Sequence, residues 1–275
     1  MRRNSDESRS PRLAASPALV QVAQGLAAAA RCEILRHYRS DLVIEDKSDA
    51  TPVTIADRQA EAAMRQIIGQ TLPSHGVMGE EYGNDRTDAE FVWVLDPIDG
   101  TKSFMTGKPL FGTLIALCHQ GHPILGVIDM PALGETWMGG VGLPASLNQR
   151  PVRVRGCSDL GQAVVYTTTP DMFVGAAELA FARLKSQVKL VLYGADCYGY
   201  ALVAAGWSDA VVEARLKPYD YLACAAVVEA AGGFAADWLG QELSLHSADQ
   251  VVMSGSRAIG MEMIDCLNPS EGGGE

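Results

Sequence analysis

Trp93-Val94-Leu95-Asp96-Pro97-Ile98-Asp99-Gly100-Thr101-Lys102-Ser103 runs from an apolar segment into two carboxylates three residues apart, then a glycine and hydroxyl residues. The apolar part, begun at Phe91, predicts a buried strand. Pro97 fixes φ between the aspartates and limits how the turn can fold. Two carboxylates held close repel each other unless a cation lies between them. Hard oxygen ligands at such a turn favour Mg²⁺, which keeps several waters and shares phosphate oxygens with a substrate. Gly100 lets the backbone approach a ligand, and Thr101 to Ser103 can open a helix whose free N–H groups hold a phosphate. An Asx-type turn capping a helix could use the same aspartates, but the strand before them and the glycine and hydroxyls after them are more specific than a lone D-x-x-D.

Outward from this run, Leu19, Val22, Ala23, Leu26, Ala30, Ile34 and Leu35 predict a helix from Pro17 to Tyr38. Ala60, Ala63, Met64 and Ile67 predict a second from Asp57 to Gln70, ended by Thr71-Leu72-Pro73-Ser74. Val77-Met78 reads as a buried strand. Leu110 to Cys118 and Pro123 to Asp129 read as a hairpin turning near Gly121. Pro, Ser, Asn and Gln cluster over Pro144 to Pro151 and suggest a boundary there. Beyond it, strands at 163–167, 188–192 and 210–214 alternate with helices at 172–185, 198–205 and 219–231. The organisation expected is a flexible leader over 1–15, an α+β half over 16–148, an α/β half over 149–268 and a flexible tail over 269–275.

The chain has 275 residues, 48% of them hydrophobic and 20% charged, which excludes disorder over most of its length and allows one or two domains. Thirty-three acidic against 22 basic residues give a formal charge of −11, a field that repels nucleic acid and anionic membranes. A metal ion can still draw a phosphate ester into such a chain locally. The six cysteines form no C-x-x-C pair and suggest neither a zinc site nor a disulfide scaffold, which points to a reducing, cytoplasmic setting. No apolar run reaches the roughly 18 residues of a membrane span. The polar opening lacks the apolar core of a secretory signal, and Asp6 and Glu7 disfavour a transit peptide.

Three further carboxylate positions stand out. Glu80-Glu81 follows Val77-Met78-Gly79 and alone reads as a solvated pair. Asp220, in Lys217-Pro218-Tyr219-Asp220, and Asp57 each head a helix and alone read as caps. Taken together, Gly-Glu-Glu, the strand with Asp96-Pro97-Ile98-Asp99-Gly100-Thr101, and an aromatic-Asp before an alanine-rich helix and Gly232-Gly233 resemble the inositol monophosphatase family over residues 17 to 265. Tyr219 departs from the tryptophan of many members. The resemblance implies a layered αβαβα sandwich, usually dimeric, and a Mg²⁺-dependent phosphomonoesterase with up to three ions. It implies Glu80, Asp96, Asp99, Asp220 and the Ile98 carbonyl as metal ligands, with Glu81 as near-site support. Gly100 and Thr101 would meet the phosphate through backbone N–H groups, and the Thr101 hydroxyl and Asp57 would orient the attacking water. Glu80 is counted with the catalytic residues as well. Cys197 or His75 could in principle serve as a covalent nucleophile, but no base-orienter arrangement in the sequence points to either.

Residues 101–117, Gly194-Ala195-Asp196-Cys197-Tyr198-Gly199-Tyr200 and 212–220 resemble the histidinol-phosphatase branch of that family. Histidinol phosphate carries an ammonium and an imidazole, so its pocket should offer carboxylates beyond those holding metal. Asp196 and Glu213 are the candidates. Against this, Asp196 could bond a nearby backbone group and Glu213 could pair with Arg215 or Lys217. An inositol-type polyol phosphate is the alternative substrate, since hydroxyls also donate to carboxylates. A non-catalytic metal- or phosphate-binding regulator is a remote alternative, disfavoured by the full ligand set.

Overall fold

The computed structural model of the protein describes residues 12–40, 44–46 and 52–268. Helix α1 (Pro17–His37) starts at the Ser16 cap. A short ribbon, β1 (Ile44–Asp46) and β2 (Pro52–Thr54), leads into α2 (Ile55–Thr71). Strands β3 (Gly76–Gly79) and β4 (Gly83–Asp85) precede β5 (Phe91–Asp99), which runs into the five-residue helix α3 (Thr101–Met105). The hairpin follows as β6 (Gly112–His119) and β7 (His122–Met130), turning at Gln120-Gly121 with positive φ at both residues. Three more strands, β8 (Glu135–Gly140), β9 (Leu143–Leu147) and β10 (Arg150–Pro151), complete an eight-stranded sheet of order β10-β9-β8-β7-β6-β5-β3-β4.

The polar cluster over Pro144 to Pro151 holds most of β9, a hairpin turn and β10, the edge strand of this sheet. Asn148 and Gln149 lie at φ 47° and 67°, and Arg150 pairs back onto Leu147. A primed turn and a linker use the same residue types, so composition alone could not separate them.

The second sheet contains β11 (Val164–Thr167), β12 (Leu190–Tyr193), β13 (Ala210–Glu213), β14 (Phe234–Asp237) and β15 (Val251–Ser254), in the order β12-β11-β13-β15-β14. Its helices are α4 (Ala176–Lys185), α5 (Tyr198–Ala204), α6 (Pro218–Ala230) and α7 (Arg257–Leu267). The helix expected from 172 starts only at Ala176, because Thr169 caps a separate 3-10 turn over Pro170–Met172.

Alternation along β5 defines the layers. Trp93 and Leu95 join Leu26, Ala60, Met64 and Ile115 in a core roofed by α1 and α2. Val92 and Val94 point the other way, into a core with Tyr200, Leu222, Ala223 and Val227 of α5 and α6. Residues Tyr221 to Val228 of α6 are all buried, because α6 also covers Val211, Val251 and Met253 of the second sheet. The far face of that sheet carries Val165, Val212 and Phe234, closed by Phe181 of α4 and Ile259 and Met263 of α7. The result is the five-layer αβαβα sandwich expected from the sequence.

The tail over 269–275 and positions 1–11 of the leader lie outside the described residues. Arg12, within the leader, is tied down: its guanidinium meets Glu229 at 2.9 Å, Glu242 and the Pro123 carbonyl. Among the described helices, α1 is long and apolar enough to cross a membrane, with a mean hydropathy of 1.2 over 18 residues. Gln21 and Gln24 interrupt its apolar run but leave the average high. The helix serves as a core roof, with Ala23, Leu26, Ala27, Ala30 and Ile34 buried.

Candidate active site

Strand direction gathers the site. β3 and β5 are parallel, so their carboxyl ends coincide and bring Glu80 beside Asp96; the Glu80 N–H donates to the Leu95 carbonyl at 3.2 Å. β5 loses register with β6 between Asp96 and Asp99, three residues against two, so the segment around Pro97 and Ile98 bulges. Pro97 has no N–H for the ladder, and its carbonyl accepts from the buried Thr113 hydroxyl at 2.8 Å. Gly100 then turns the chain at φ 82°, and a Cβ there would sit 3.0 Å from the Asp196 carboxylate.

The bulge and the start of α6 bring Asp96, Asp99 and Asp220 together, with one oxygen of each within 4.8 Å of the others. Asp99 Oδ2 accepts from the Cys197 N–H at 2.6 Å. Asp220 stands third in α6 and reaches back to the Lys217 N–H at 2.7 Å. Asp57 does the same in α2: its Oδ2 accepts from the Thr54 N–H at 2.8 Å and hydroxyl at 2.6 Å. Both aspartates therefore cap the start of their own helix by accepting from the backbone N–H of the residue before it. Asp220 lines the site cavity, whereas Asp57 is not among its lining residues and meets the site through the charge of Glu80. Tyr219, beside Asp220, packs part-buried on the central core.

The electrostatics of this cluster suit a cation. Burial, then Glu80, Asp99 and Asp220, push Asp96 well above the usual carboxylate range. Burial, then Asp196 and Asp220, do the same to Asp99. Burial carries Asp220 to about 7 and Asp57 to about 6. Asp96 Oδ1 is buried and accepts no hydrogen bond from any described residue. An orphaned buried acceptor inside converging carboxylates fits a divalent cation with oxygen ligands.

These shifts give a stability signature. Each group binds its proton more tightly folded than unfolded, so its contribution is fully present below about pH 4. That contribution is lost as pH rises through about 6 for Asp57 and about 7 for Asp220. A divalent cation offsets the loss. The increase in melting temperature caused by Mg²⁺ should therefore be larger at pH 8 than at pH 5.5 in calorimetry against a chelated control. An increment independent of pH would contradict the cluster as the binding site.

One residue that sequence reasoning passed over holds the Glu80-Glu81 turn. Glu61 of α2 is fully buried; its Oε2 accepts from the Glu81 N–H at 2.7 Å and its Oε1 from the Tyr82 N–H at 3.1 Å. Arg65 pairs with Glu61 at 2.7 Å and reaches the Gly83 carbonyl. A Cβ on Gly79 would lie 2.1 Å from Glu61 Oε1. The available signal was a glutamate next to Ala60, on the flank of the helix's apolar face.

Glu80, Asp99, Gly100, Thr101, Asp196, Glu213 and Asp220 line one cavity of about 330 Å³, with Lys102, Thr168, Met172, Tyr200 and Leu216. The Thr101 hydroxyl donates to the Ile98 carbonyl at 3.1 Å. Asp196, at φ 48°, accepts from the Ser103 hydroxyl at 2.8 Å; burial raises its pKa, while Ser103, Lys108 and Lys102 oppose that. Glu213 pairs with neither Arg215 nor Lys217. Its Oε1 accepts from the Thr168 N–H at 2.7 Å and its Oε2 from the Tyr200 hydroxyl at 2.6 Å. Burial pushes the Cys197 thiol up, with Asp99 adding to it, and His75 Nδ1 is occupied by the Trp93 indole N–H. Neither is poised as a nucleophile.

Comparison with known proteins agrees with this geometry. Residues 17–266 match the model of the inositol monophosphatase family. The bifunctional phosphatase IMPL2 of Arabidopsis thaliana, a chloroplastic protein, is 50% identical over 233 residues, 84% of this chain and 67% of its own. A histidinol-phosphatase of Chlorobaculum parvum is 36% identical over 85% of this chain and 90% of its own. An inositol monophosphatase structure from Zymomonas mobilis superposes with a TM-score of 0.83 at 40% identity, covering 90% of this chain and 96% of that one. With nearly the whole chain inside the match, the protein belongs to the inositol monophosphatase family and is a phosphatase of that family.

Proposed function

We propose that the chain hydrolyses L-histidinol phosphate to L-histidinol and phosphate, the phosphatase step of histidine biosynthesis, with Mg²⁺ as cofactor. The observation that carries the substrate reading is Glu213, a buried carboxylate outside the metal cluster that lines the same cavity. Asp196 lines it too, and both can accept from an ammonium or imidazolium group. The similarity to the histidinol-phosphatase of Chlorobaculum parvum supports the same reading. An inositol-type phosphate is the second reading, favoured by the description of the Zymomonas mobilis structure.

Asp96, Asp99, Asp220, Glu80 and the Ile98 carbonyl would hold up to three Mg²⁺, with Glu81 supporting Glu80. When bound, the ions supply a nucleophilic water at neutral pH and neutralise charge on the phosphoryl and leaving oxygens. Gly100 and Thr101 open α3, where N–H groups have no intrahelical partner, and these would hold the phosphate. Asp196, from the segment between β12 and α5, accepts from the Ser103 hydroxyl of α3 and braces that turn. Thr101, its proton given to Ile98, keeps lone pairs to accept from the attacking water, and Asp57 would orient the same water.

Phosphate release from histidinol phosphate, inositol 1-phosphate and glycerol 2-phosphate, with and without Mg²⁺, tests the function. The reading expects kcat/KM highest on histidinol phosphate by about ten- to a hundredfold, the worth of one charge-assisted hydrogen bond. A preference for inositol phosphate would move the chain to the second reading, and no release from any ester would favour a regulator.

We also propose a homodimer. β12 is an edge strand with Leu190 46% and Tyr193 41% exposed, an apolar edge that a second copy would cover. Light scattering at micromolar concentration should return twice the chain mass; a monomer would count against the dimer. All six cysteines are free, which suits the reducing cytoplasm.

A further inference from the structure

Tyr200 belongs to the Gly-Ala-Asp-Cys-Tyr-Gly-Tyr segment and stands outside the groups that would hold the metal, the phosphate and the water. Its side chain is 1% exposed in the central core, yet the residue also lines the cavity. A buried tyrosine hydroxyl ordinarily finds a partner. Here the partner is Glu213, 2.6 Å away, while the Thr168 N–H holds the other oxygen at 2.7 Å. The two donors come from different elements, α5 and the segment after β11, so between them they fix the plane of the carboxylate.

The consequence is chemical. A carboxylate offers about four acceptor sites, and two are taken. The single tyrosine proton is spent on Glu213, so the hydroxyl has none left for a ligand. Among the described residues, no cation forms a salt bridge with Glu213; its two partners are neutral donors. Burial pushes the Glu213 carboxyl up, and the Thr168 and Tyr200 donors oppose that by stabilising its ionised form. Ionised, Glu213 and the tyrosine oxygen present an acceptor-only surface to the cavity. A group with only donors and a positive charge satisfies that surface fully.

We propose that Tyr200 is a positioning residue for substrate choice: through its hydrogen bond it fixes Glu213 as an acceptor-only carboxylate and so favours phosphate esters whose alcohol carries an ammonium group over those of uncharged polyols. This rests on Glu213 meeting the alcohol part of the substrate.

Tyr200→Phe, Glu213→Gln and the double variant, assayed on histidinol phosphate and glycerol 2-phosphate, test it. The selectivity ratio, kcat/KM for histidinol phosphate over that for glycerol 2-phosphate, should fall about tenfold in Tyr200→Phe, carried by KM. It should fall no further in the double variant than in Glu213→Gln alone, since both changes break one unit. The inhibition constant of L-histidinol should rise by the same factor as KM, a readout that general loosening of the core would not confine to the cationic ligand. A selective loss in Glu213→Gln with none in Tyr200→Phe, or losses that multiply in the double variant, would overturn the role of Tyr200 and leave that of Glu213 standing. Equal losses on both esters in Glu213→Gln would remove the Glu213 contact and the proposal with it.

Discussion

Asp99→Asn should lower phosphatase turnover at saturating substrate by more than a hundredfold, and excess chelator should do the same to the wild type. Outer partners of a metal ligand already cost about 10–100-fold when removed, so a ligand itself sets a larger loss. Asparagine keeps the shape of the side chain, and its carbonyl oxygen can still accept the Cys197 N–H that now holds Asp99. What disappears is the charge. The metal-free variant should therefore melt no lower than the metal-free wild type, because Asp99 is raised by repulsion from Asp196 and Asp220 as well as by burial. The two readouts move in different directions, which separates lost ligation from lost folding. Full turnover in chelator, or a variant matching the wild type at equal Mg²⁺, would end the assignment of this cluster as the metal centre.

Why that cluster could be read from sequence, and its supports could not, follows from distance along the chain. Asp96 and Asp99 share one turn, and the strand before them is apolar enough to announce itself. The αβαβα layering likewise came with the family resemblance, which the alternation of Trp93 and Leu95 against Val92 and Val94 then explains. Periodicity passed over β8 and β9, since Gly139-Gly140 and Gly142 dilute the apolar signal there. It passed over β14, β15 and the eleven-residue α7 too, although β11, β12 and β13 are no longer than β14 and β15 and were legible. Glu61 was hidden for a different reason. Its partners are the N–H groups of Glu81 and Tyr82, twenty residues on, and backbone donors leave no mark in a sequence. Glu213 stood out as a carboxylate near Asp220, but its tie to Tyr200 crosses from β13 to α5 and needed the fold.

Asp57→Asn and Thr101→Ala should each reduce kcat by about 10²–10⁴-fold, the usual worth of a group that orients or deprotonates the nucleophile, while KM changes by no more than a few fold. Asp57 is 1% exposed, and burial lifts it to about 6, close to the working range of a proton acceptor at neutral pH. One of its oxygens is committed to Thr54, which leaves the other for the water. Asparagine at 57 can keep the Thr54 N–H through its carbonyl oxygen, so the start of α2 survives and the melting temperature should hold. Thr101 is placed by its own hydrogen bond to Ile98, at the turn where Asp99 ends its strand and α3 begins. Alanine there keeps the backbone N–H that would face the phosphate and removes only the hydroxyl. Substrate should therefore bind nearly as before while chemistry slows, and single-turnover measurements should place the whole loss in the bond-breaking step. If either variant instead raised KM at constant kcat, the residue would belong to ester binding, and the attacking water would have to be held by other groups of the cavity.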